Sequence, residues 1–351
     1  MHRATDANRM RWQFEPGHYE VWYATLSQIA SQTGFWIRYT LEAPLPGHGQ
    51  PSCGLWFARF DGNDPTRTFG FHQTYEIGAL RHDAAPFRLC VGDSELRQDG
   101  MKGQLLSSEP SPHRVSWDIH WVPTDRVHRH LPSLLYRGGI AETQVLSPNL
   151  NVLARGNITV DGQRYDLEDA PLGQTHLWGR KHAYSWAWSH CNAFEADRGA
   201  ALETLTVRLR RGSIVLPKVT MLSLYLDGGD PCLIEFREPW QLPLIRSDYA
   251  TGRYHLSAAN LQYKIEAEFS CRPEDMLLTE YVDPDGDPAF CHNSECADLR
   301  LTVWRRSPLV GRFRHWRTLE ARKSAHYEWG ARAGDPQVKK RHLRIDRPAT
   351  P

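Results

Sequence analysis

The chain has 351 residues, of which 40% are hydrophobic and 24% charged, and its formal charge at pH 7 is +1. This is the composition of a globular protein that can bury one large or two medium cores, so it excludes an intrinsically disordered chain. A charge so close to zero gives no overall field for nucleic acid or for an anionic membrane. No window approaches the roughly 18–20 apolar residues of a membrane span, and the first twenty residues lack the apolar run of a signal peptide. We therefore expect a cytoplasmic protein.

Short strands are predicted along most of the chain. In the first half, alternating or continuous apolar residues predict strands at 34–41, 53–60 and 114–121. The second half repeats the pattern, with strands predicted at 204–210, 219–226, 261–269 and 298–304. Turn signals rich in Gly, Asp and Pro separate the strands, as at 61–64, 161–162, 227–230 and 283–288. Helical periodicity is confined to residues 18–33, which we expect to hold one or two helical turns.

Many short strands with such turns are typical of β-sandwiches and β-barrels, and the chain is too long for one small antiparallel barrel. We therefore expect an all-β protein of two units that meet near residues 174–195. Alternation is lost after residue 334, where the basic run at 339–341 favours a solvated, flexible tail over a nucleic-acid patch. The predicted boundaries are 1–180 and 181–333 for the two β domains and 334–351 for the tail.

The most unusual stretch is 174–194, QTHLWGRKHAYSWAWSHCNAF. If 183–194 is a strand, its odd positions are small, and its even positions form a large face that is polar at one end: Tyr184, Trp186, Trp188, His190, Asn192 and Phe194. Such a face is core only if its polar groups find partners, because a buried unpaired polar group costs about 1–3 kcal/mol. Two interpretations remain open. The face is either a tryptophan-rich core or one wall of a ligand cavity, whose second wall would be His176 and Trp178.

The seven cysteines are an odd number at irregular spacing, which argues against a disulfide framework and favours a reducing compartment. Cys291 and Cys296, with His292 between them, have the spacing of half a zinc site, but no second pair stands nearby. Buried thiols are the favoured interpretation, and no metal or organic cofactor is expected. The sequence also lacks a serine-hydrolase elbow, a phosphate-binding loop and a dinucleotide-binding glycine pattern.

At the central stretch the chain resembles the tocopherol cyclase family and its relatives, the carotenoid hydratases of the hydroxyneurosporene synthase type and the AttH-like bacterial proteins. The resemblance rests on HLWG at 176–179 with WAWSHCNAFE at 186–195, and on CHNSECADLRLTVW at 291–304. GFWIRYT at 34–40 and YRGG at 136–139 resemble uncharacterised bacterial members. The resemblance implies two tandem lipocalin-like antiparallel β-barrels with a site near their junction. It also implies a lipophilic, often isoprenoid-derived ligand and chemistry without a metal or cofactor.

Chemistry of this kind begins with a proton delivered to an alkene carbon, which creates positive charge in the transition state. Aromatic faces stabilise such charge by about 0.5–2 kcal/mol each, which makes Trp178, Trp186 and Trp188 candidates for the cavity wall. Tyr184 and Asn192 are further candidates for substrate binding, Asn192 as the group that orients a hydroxyl or a water. The acid must be a titratable group whose pKa is shifted by burial.

The candidates for the acid or proton relay are His176, His190, Asp118 and Asp169, with Glu20 and Glu195 as weaker ones. Each has an ordinary structural alternative. Asp169 precedes Ala170-Pro171 and suits a turn, and Asp118 lies on a strand face that is either solvent or barrel lumen. We favour an exposed strand-end charge for Glu195. The histidines at 72, 82, 113, 128 and 130 are predicted to be ordinary surface or turn residues.

Two functions of different class follow. The first is a cofactor-independent enzyme, a lyase or isomerase that cyclises, hydrates or isomerises a lipophilic, isoprenoid-derived molecule. The alternative is a lipocalin-like carrier of a hydrophobic small molecule, which needs the same cavity but no acid. A third possible function is that of a scaffold, which would be indicated by barrels whose interiors are filled with side chains. A lipophilic substrate would also fit loose association with a membrane surface, without an integral segment.

Overall fold

The computed structural model describes residues 6–107, 112–137 and 141–346. The first five residues of the segment tested for a signal peptide, the pair Gly138-Gly139 and the end of the predicted tail from 347 onwards lie outside this range. Within it, regular structure consists of β-strands and of short 3-10 turns at Ile29–Ser31, Pro65–Arg67, Ile77–Ala79, Ser133–Tyr136, Leu242–Leu244 and Pro273–Asp275. Across the same residues no helix has the length and apolar character needed to cross a bilayer.

Thirteen strands form the first sheet. They are β1 (His18–Gln28), β2 (Thr33–Ala43), β3 (Ser52–Asp61), β4 (Phe69–Glu76), β5 (Leu80–Ala84), β6 (Phe87–Val91), β7 (Ser94–Arg97), β8 (Gly100–Leu106), β9 (Arg114–His120), β10 (His128–Arg129), β11 (Thr143–Val160), β12 (Gln163–Gly179) and β25 (Leu343–Asp346). Their order is β25-β4-β3-β2-β1-β12-β11-β9-β8-β7-β6-β5, with β10 beside β11. All neighbours are antiparallel except β25 and β4.

Ten further strands form the second sheet, in the order β18-β17-β14-β13-β24-β23-β21-β20-β19 with β22 beside β23. They are β13 (Ser185–Cys191), β14 (Ala201–Arg208), β17 (Val219–Leu226), β18 (Cys232–Phe236), β19 (Ile245–Ala250), β20 (Arg253–Ala259), β21 (Tyr263–Ser270), β22 (Leu277–Val282), β23 (Pro288–Arg306) and β24 (Phe313–Ala331). A separate small hairpin joins β15 (Arg210–Arg211) to β16 (Ile214–Val215). The chain passes from the first sheet to the second between Gly179 and Ser185.

Each sheet curls around a core of its own. In the first, Phe57 of β3 stacks on Trp117 of β9 with ring centroids 6.1 Å apart. In the second, the hydroxyl groups of Tyr254 in β20 and Thr206 in β14 lie 2.7 Å apart. The first core draws on residues 12–172 and the second on residues 187–338. The all-β prediction of two lipocalin-like barrels is confirmed, because period-two apolar alternation marks most of these strands.

Two local expectations were wrong in part. Within residues 18–33 the one helical turn is the 3-10 turn at Ile29–Ser31. Residues 18–28 form a strand, because both faces of β1 are covered: Trp22 packs in the first core and Tyr23 faces the second barrel. Burial on both sides hides the period of two. Residues 334–346, predicted as part of a flexible tail, instead pack on both barrels. Val338 is buried in the second core, and β25 pairs with β4 of the first sheet.

The barrels meet through the outer faces of β1–β3 and of β13, β22, β23 and β24. A mixed cluster of aromatic side chains fills much of this junction, including Trp36, Trp56 and Phe60 from the first barrel and Trp186, Trp188 and Tyr281 from the second. The backbones approach closely at Gly34, where an added Cβ would lie 2.3 Å from the Cβ of Glu295. Glycine is therefore required at residue 34 for the barrels to pack in this way.

Candidate functional site

A cavity of about 330 Å³ lies at the junction of the two barrels. The first barrel contributes side chains from β1, β2, β11 and β12, and the second contributes side chains from β13, β14, β22 and β24. Most of the wall is aliphatic or aromatic. Apart from the exposed residues at its mouth, the polar or ionisable lining groups are Tyr19, Tyr23, Arg38, His130, Thr143, Lys181, His182, Tyr281 and Glu328. Apolar walls with a few convergent polar groups are typical of small-molecule sites. The exposed residues Glu142, Leu209 and Arg211 lie at its mouth.

Strand alternation explains which residues reach the cavity. In β13 the small side chains Ala187 and Cys191 pack in the second core, so Trp186 and Trp188 point the other way and line the cavity. In β2, Ile37 packs in the first core, and Trp36 and Arg38 line the cavity. The face of β13 that carries Trp186 and Trp188 therefore has two roles. Part of it packs in the aromatic cluster between the barrels, and part of it lines the cavity.

Each tryptophan of the Trp186-x-Trp188 motif holds a carboxylate. The indole Nε1 of Trp186 donates to Glu328 at 2.8 Å, and that of Trp188 donates to Glu203. The ring of Trp186 lies directly over Gly330, where an added Cβ would be 2.1 Å from a ring carbon. The motif therefore does more than supply apolar surface, because it fixes two acidic side chains at the junction.

The first of these carboxylates belongs to a Glu–His–Glu relay, named here the Glu328 cluster: Glu295, His326 and Glu328. Nδ1 of His326 lies 2.6 Å from Glu295, and its Nε2 lies 3.6 Å from Glu328. Burial disfavours the imidazolium, but the two carboxylates outweigh it and raise the pKa of His326 to about 9. Of the three side chains, Glu328 lines the cavity.

The pKa shifts of Glu328 and Glu295 indicate which groups of the Glu328 cluster carry charge. Burial opposes ionisation of Glu328, yet the nearby His326, the hydrogen bond from Trp186 and the charge of Arg38 hold its pKa below the usual range. Burial raises the pKa of Glu295 despite its contact with His326. The raised pKa of His326 favours the imidazolium at neutral pH, behind a carboxylate that faces the cavity.

The second carboxylate, Glu203, bridges two histidines. Its oxygens lie 2.9 Å from Nε2 of His130 and 2.9 Å from Nδ1 of His190. Burial opposes its charge, but both histidines lower its pKa well below the usual range. His130 lines the cavity, and Nε2 of His190 lies against Gly173 of β12 without a hydrogen-bond partner in the described residues. His190, predicted from its motif, thus lies at the junction but behind the cavity wall.

His176 and Trp178 do not form the second wall that the sequence predicted. Leu177 lines the cavity, so strand alternation turns its two neighbours to the opposite face of β12. Nε2 of His176 lies 2.8 Å from Glu20, and Nδ1 lies 2.7 Å from the carbonyl oxygen of Ala7. The imidazole stacks on Trp22 and lies tilted against Trp178, at 4.8 Å from each ring. This histidine fastens the N-terminal segment to the barrel.

Asp118 and Asp169 also lie away from the cavity. Asp118 is on the outward face of β9, where its side chain pairs with Lys102 at 2.8 Å. Asp169 pairs with Arg155 at 2.8 Å, and its side chain is 44% exposed. Its backbone has φ of 56°, which suits the irregular position before Ala170-Pro171. Both form surface ion pairs and lie outside the cavity lining, so neither is placed to protonate a ligand there.

The two remaining substrate-binding candidates lie beside the cavity and do not line it. Tyr184 precedes β13, is half-buried and stacks under Arg210, whose guanidinium carbon lies 5.6 Å from the ring centroid. Asn192 is buried, and its Nδ2 donates to the carbonyl oxygen of Leu172 at 3.0 Å. Asn192 therefore ties the second barrel to the first.

Several buried histidines were wrongly predicted to be at the surface. His72 is buried and stacks on Trp56 at 3.6 Å, and burial lowers its pKa to about 3. His128 and His130 are buried as well. Cys291 and Cys296 are buried free thiols, and the described part of the chain holds no cluster of side chains suited to a metal ion.

Sequence reasoning missed Arg38 and Glu328, which line the cavity, and Glu203 and His326, which lie behind its wall. The alternation HYEWG at 326–330, which places His326 and Glu328 on one face, was the available signal.

Comparison with known proteins identifies the family of this chain. The sequence profile of the tocopherol cyclase-like family matches residues 102–328, well over half of the chain. The chain belongs to the tocopherol cyclase-like family. The resemblance found in the sequence is thereby confirmed. The chloroplastic tocopherol cyclase of Zea mays is 24% identical over 156 residues, which is 44% of this chain and 32% of the maize protein.

One further sequence and one solved structure match this tocopherol cyclase-like protein nearly end to end. An uncharacterised protein of Mycobacterium tuberculosis is 24% identical over 336 residues, covering 92% of this chain and 89% of its own. The crystal structure of a protein assigned as AttH from Nitrosomonas europaea superposes with a TM-score of 0.52 at 12% identity, covering 90% of this chain and 92% of its own. That likeness supports the shared double-barrel fold.

Proposed function

We propose that this protein is a cofactor-independent enzyme that cyclises, hydrates or isomerises a lipophilic, isoprenoid-like substrate in the cavity between its barrels. Membership of the tocopherol cyclase-like family supports the reaction class. The observation that carries the proposal is the Glu328 cluster, in which a carboxylate opens onto an apolar cavity and a protonated imidazole stands behind it. A carrier would have no use for a stored proton at its ligand.

The reaction would proceed by proton transfer alone. The proton held by His326 passes through Glu328 to an alkene carbon of the substrate, so that a C–H bond forms while the π bond breaks. The faces of Trp36, Trp186 and Trp188 stabilise the resulting positive charge, each by about 0.5–2 kcal/mol. A hydroxyl group of the substrate or a water attacks the cation and returns its proton to Glu328, which restores the cluster. In an isomerisation, a neighbouring carbon returns the proton instead.

Cavity size restricts the substrate. About 330 Å³ is near the lower limit of ligand pockets, which hold roughly 300–1,000 Å³. A ring with a short prenyl chain fits this limit better than a long carotenoid does. Any longer tail would leave through the mouth beside Leu209 and Arg211.

The test is turnover in D₂O of prenylated hydroquinones and phenols that differ in chain length, followed by mass spectrometry. Cyclisation or isomerisation through carbon protonation gives an isomeric product that carries deuterium on carbon. Hydration adds the mass of D₂O. Binding is followed in parallel by quenching of tryptophan fluorescence, because three tryptophans line the cavity.

The matched variants are Glu328→Gln, and Glu320→Gln as control, since Glu320 lies on the same strand but pairs with Arg300 and Arg322 at the surface. A deuterated product from wild type and Glu320→Gln that is lost in Glu328→Gln would support the enzyme. Compounds that bind wild type and Glu328→Gln equally and are recovered unchanged would make the protein a carrier.

A further inference from the structure

Arg38 is a buried cation at the wall of the cavity. It lies in β2, in register with Tyr23 of β1 and Trp56 of β3, and only 7% of the residue is exposed. Its guanidinium carbon lies 5.3 Å, 5.4 Å and 4.5 Å from the ring centroids of Trp36, Trp56 and Tyr281. Three aromatic rings thus hold the flat guanidinium group, in the geometry of cation–π contacts.

No carboxylate forms an ion pair with Arg38 in the described part of the chain, and its Nε is buried without a partner. The hydroxyl group of Tyr281 is the hydrogen-bond acceptor beside its guanidinium group. Arg59, on the next strand and equally buried, shows the ordinary solution, because its Nη2 lies 2.8 Å from Asp61. A buried charge is costly unless it is paired and hydrogen-bonded. Cation–π contacts compensate part of that cost, but they use none of the five N–H donors.

Glu328 lines the same cavity but does not pair with Arg38. Its carboxylate is engaged by Trp186 at 2.8 Å and approached by His326 at 3.6 Å. Arg38 therefore lines the cavity with N–H donors beyond the one that the Tyr281 hydroxyl can accept, while Glu328 is held at a separate position. The fork of a guanidinium group matches the paired oxygens of a carboxylate or of a phosphate. A singly charged oxygen anion is the better fit to a cavity whose wall is mostly apolar.

We propose that Arg38 is the receptor for an oxygen anion on the substrate, so that the natural substrate is a lipophilic acid: a carboxylic acid or an acidic enol or phenol. This inference rests on the proposed function, since it assigns the head group of the molecule that reacts there. The anion at Arg38 fixes one end of the substrate, and the apolar chain extends past Trp36 and Trp186 toward Glu328.

The experiment measures binding of three probes with one hydrocarbon skeleton: farnesoic acid, its methyl ester and farnesol. Fluorescence quenching at pH 8, where the acid is ionised, gives the dissociation constants for wild type, Arg38→Lys, Arg38→Met and Arg11→Met. Arg11 is the matched control, because its guanidinium also stacks on a tryptophan, Trp178, but on the opposite face of β12. Thermal unfolding of each variant reports folding.

Wild type and Arg11→Met should bind the acid at least about tenfold more tightly than the ester or the alcohol, as expected for charge-assisted hydrogen bonds. Arg38→Met should lose this preference and keep its affinity for the ester, and Arg38→Lys should keep part of the preference. Arg38→Met should not lower the melting temperature, because it removes an unpaired buried charge. A marked fall would mean that Arg38 is a structural part of the junction.

The outcomes separate the two proposals. Equal binding of acid, ester and alcohol by wild type would overturn the role of Arg38 and leave the lipophilic cavity intact. The same conclusion follows if the preference survives in Arg38→Met. Binding of none of the three probes would overturn both the acid receptor and the cavity on which the proposed function depends.

Discussion

Two clusters of glutamate and histidine, one on strands β1 and β12 of the first barrel and one on strands β23 and β24 of the second, differ in what surrounds them. In the Glu20 cluster, made of His18, Glu20 and His176, the carboxylate is fully buried and accepts hydrogen bonds from the backbone N–H groups of Arg11 and Trp12 as well as from both histidines. In the Glu328 cluster the carboxylate is 16% exposed and faces a cavity.

The two clusters show that residue types alone do not identify a proton-transfer site. A carboxylate whose lone pairs all have fixed protein donors holds structure together, because any change in its protonation breaks several hydrogen bonds at once. A carboxylate with two partners and an open side can accept or release a proton without unfolding its surroundings. We therefore assign a structural role to His176 and a chemical role to His326.

The largest expected effect is a loss of activity when the carboxylate of the Glu328 cluster is replaced. Glu328→Gln should lower turnover by about 10²–10⁴-fold, the usual contribution of a general acid or base, while ligand binding persists. Product formation in the D₂O assay measures it, with Glu320→Gln as the control. Turnover within a few-fold of wild type would remove Glu328 from the reaction.

The second prediction concerns stability. Glu20→Gln should lower the free energy of unfolding by about 3–5 kcal/mol, because it leaves His176 and the N-terminal segment without their buried anion. Urea unfolding followed by tryptophan fluorescence measures the change. At temperatures where the variant is folded, its affinity for cavity ligands should equal that of wild type. A stable but inactive Glu20→Gln protein would reverse the assignment of the two clusters.

The third prediction uses pH. The pKa of His326 is raised from 6.5 to about 9, so its ion pairs stabilise the fold fully below pH 6.5 and lose their effect as the pH rises through 9. The contribution is on the order of 3 kcal/mol. The difference in unfolding free energy between wild type and His326→Asn should therefore shrink between pH 6.5 and pH 9.5. A difference that stays constant over this range would show that His326 is not protonated in the folded state.

The smallest expected effect comes from a substitution beneath Trp186, the tryptophan that donates a hydrogen bond to Glu328. Gly330→Ala places a methyl group where the ring of Trp186 lies, so it should displace the ring, weaken the hydrogen bond to Glu328 and destabilise the protein by about 1–3 kcal/mol. Gly78→Ala is the control, since an added Cβ there meets nothing within 4 Å. Thermal unfolding and the fluorescence spectrum measure both. Equal effects of the two substitutions would contradict the close contact.

The fold was largely predictable from the sequence, and the site only in part. Period-two alternation in residues such as Phe35, Ile37 and Tyr39 marks one buried face, and enough strands of this kind specify barrels. Alternation gives the face of a residue within its strand but not what covers that face. Trp186 and Trp188 were therefore assigned to one face correctly, whereas His176 was placed in the cavity although Leu177 lies there.

The missed residues depend on contacts between distant segments. Arg38 in an alternating strand has the pattern of an ordinary solvent-facing position, and only the second barrel buries it. His326 and Glu328 become a relay because Glu295 and Trp186 reach them from other strands, which no local pattern records. The strand in segment 334–346 could not be predicted from the sequence, because it has only four residues and pairs with β4, which is far away in the chain.

The crystal structure of Glu328→Gln with the compound that wild type converts in D₂O would test the central claim most directly. The account predicts that the unreacted compound lies between the barrels, with its alkene beside residue 328 and its chain against Trp36 and Trp186. A compound bound instead in the open groove lined by Arg126, Tyr225 and Arg237, with the cavity between the barrels filled by side chains, would contradict it.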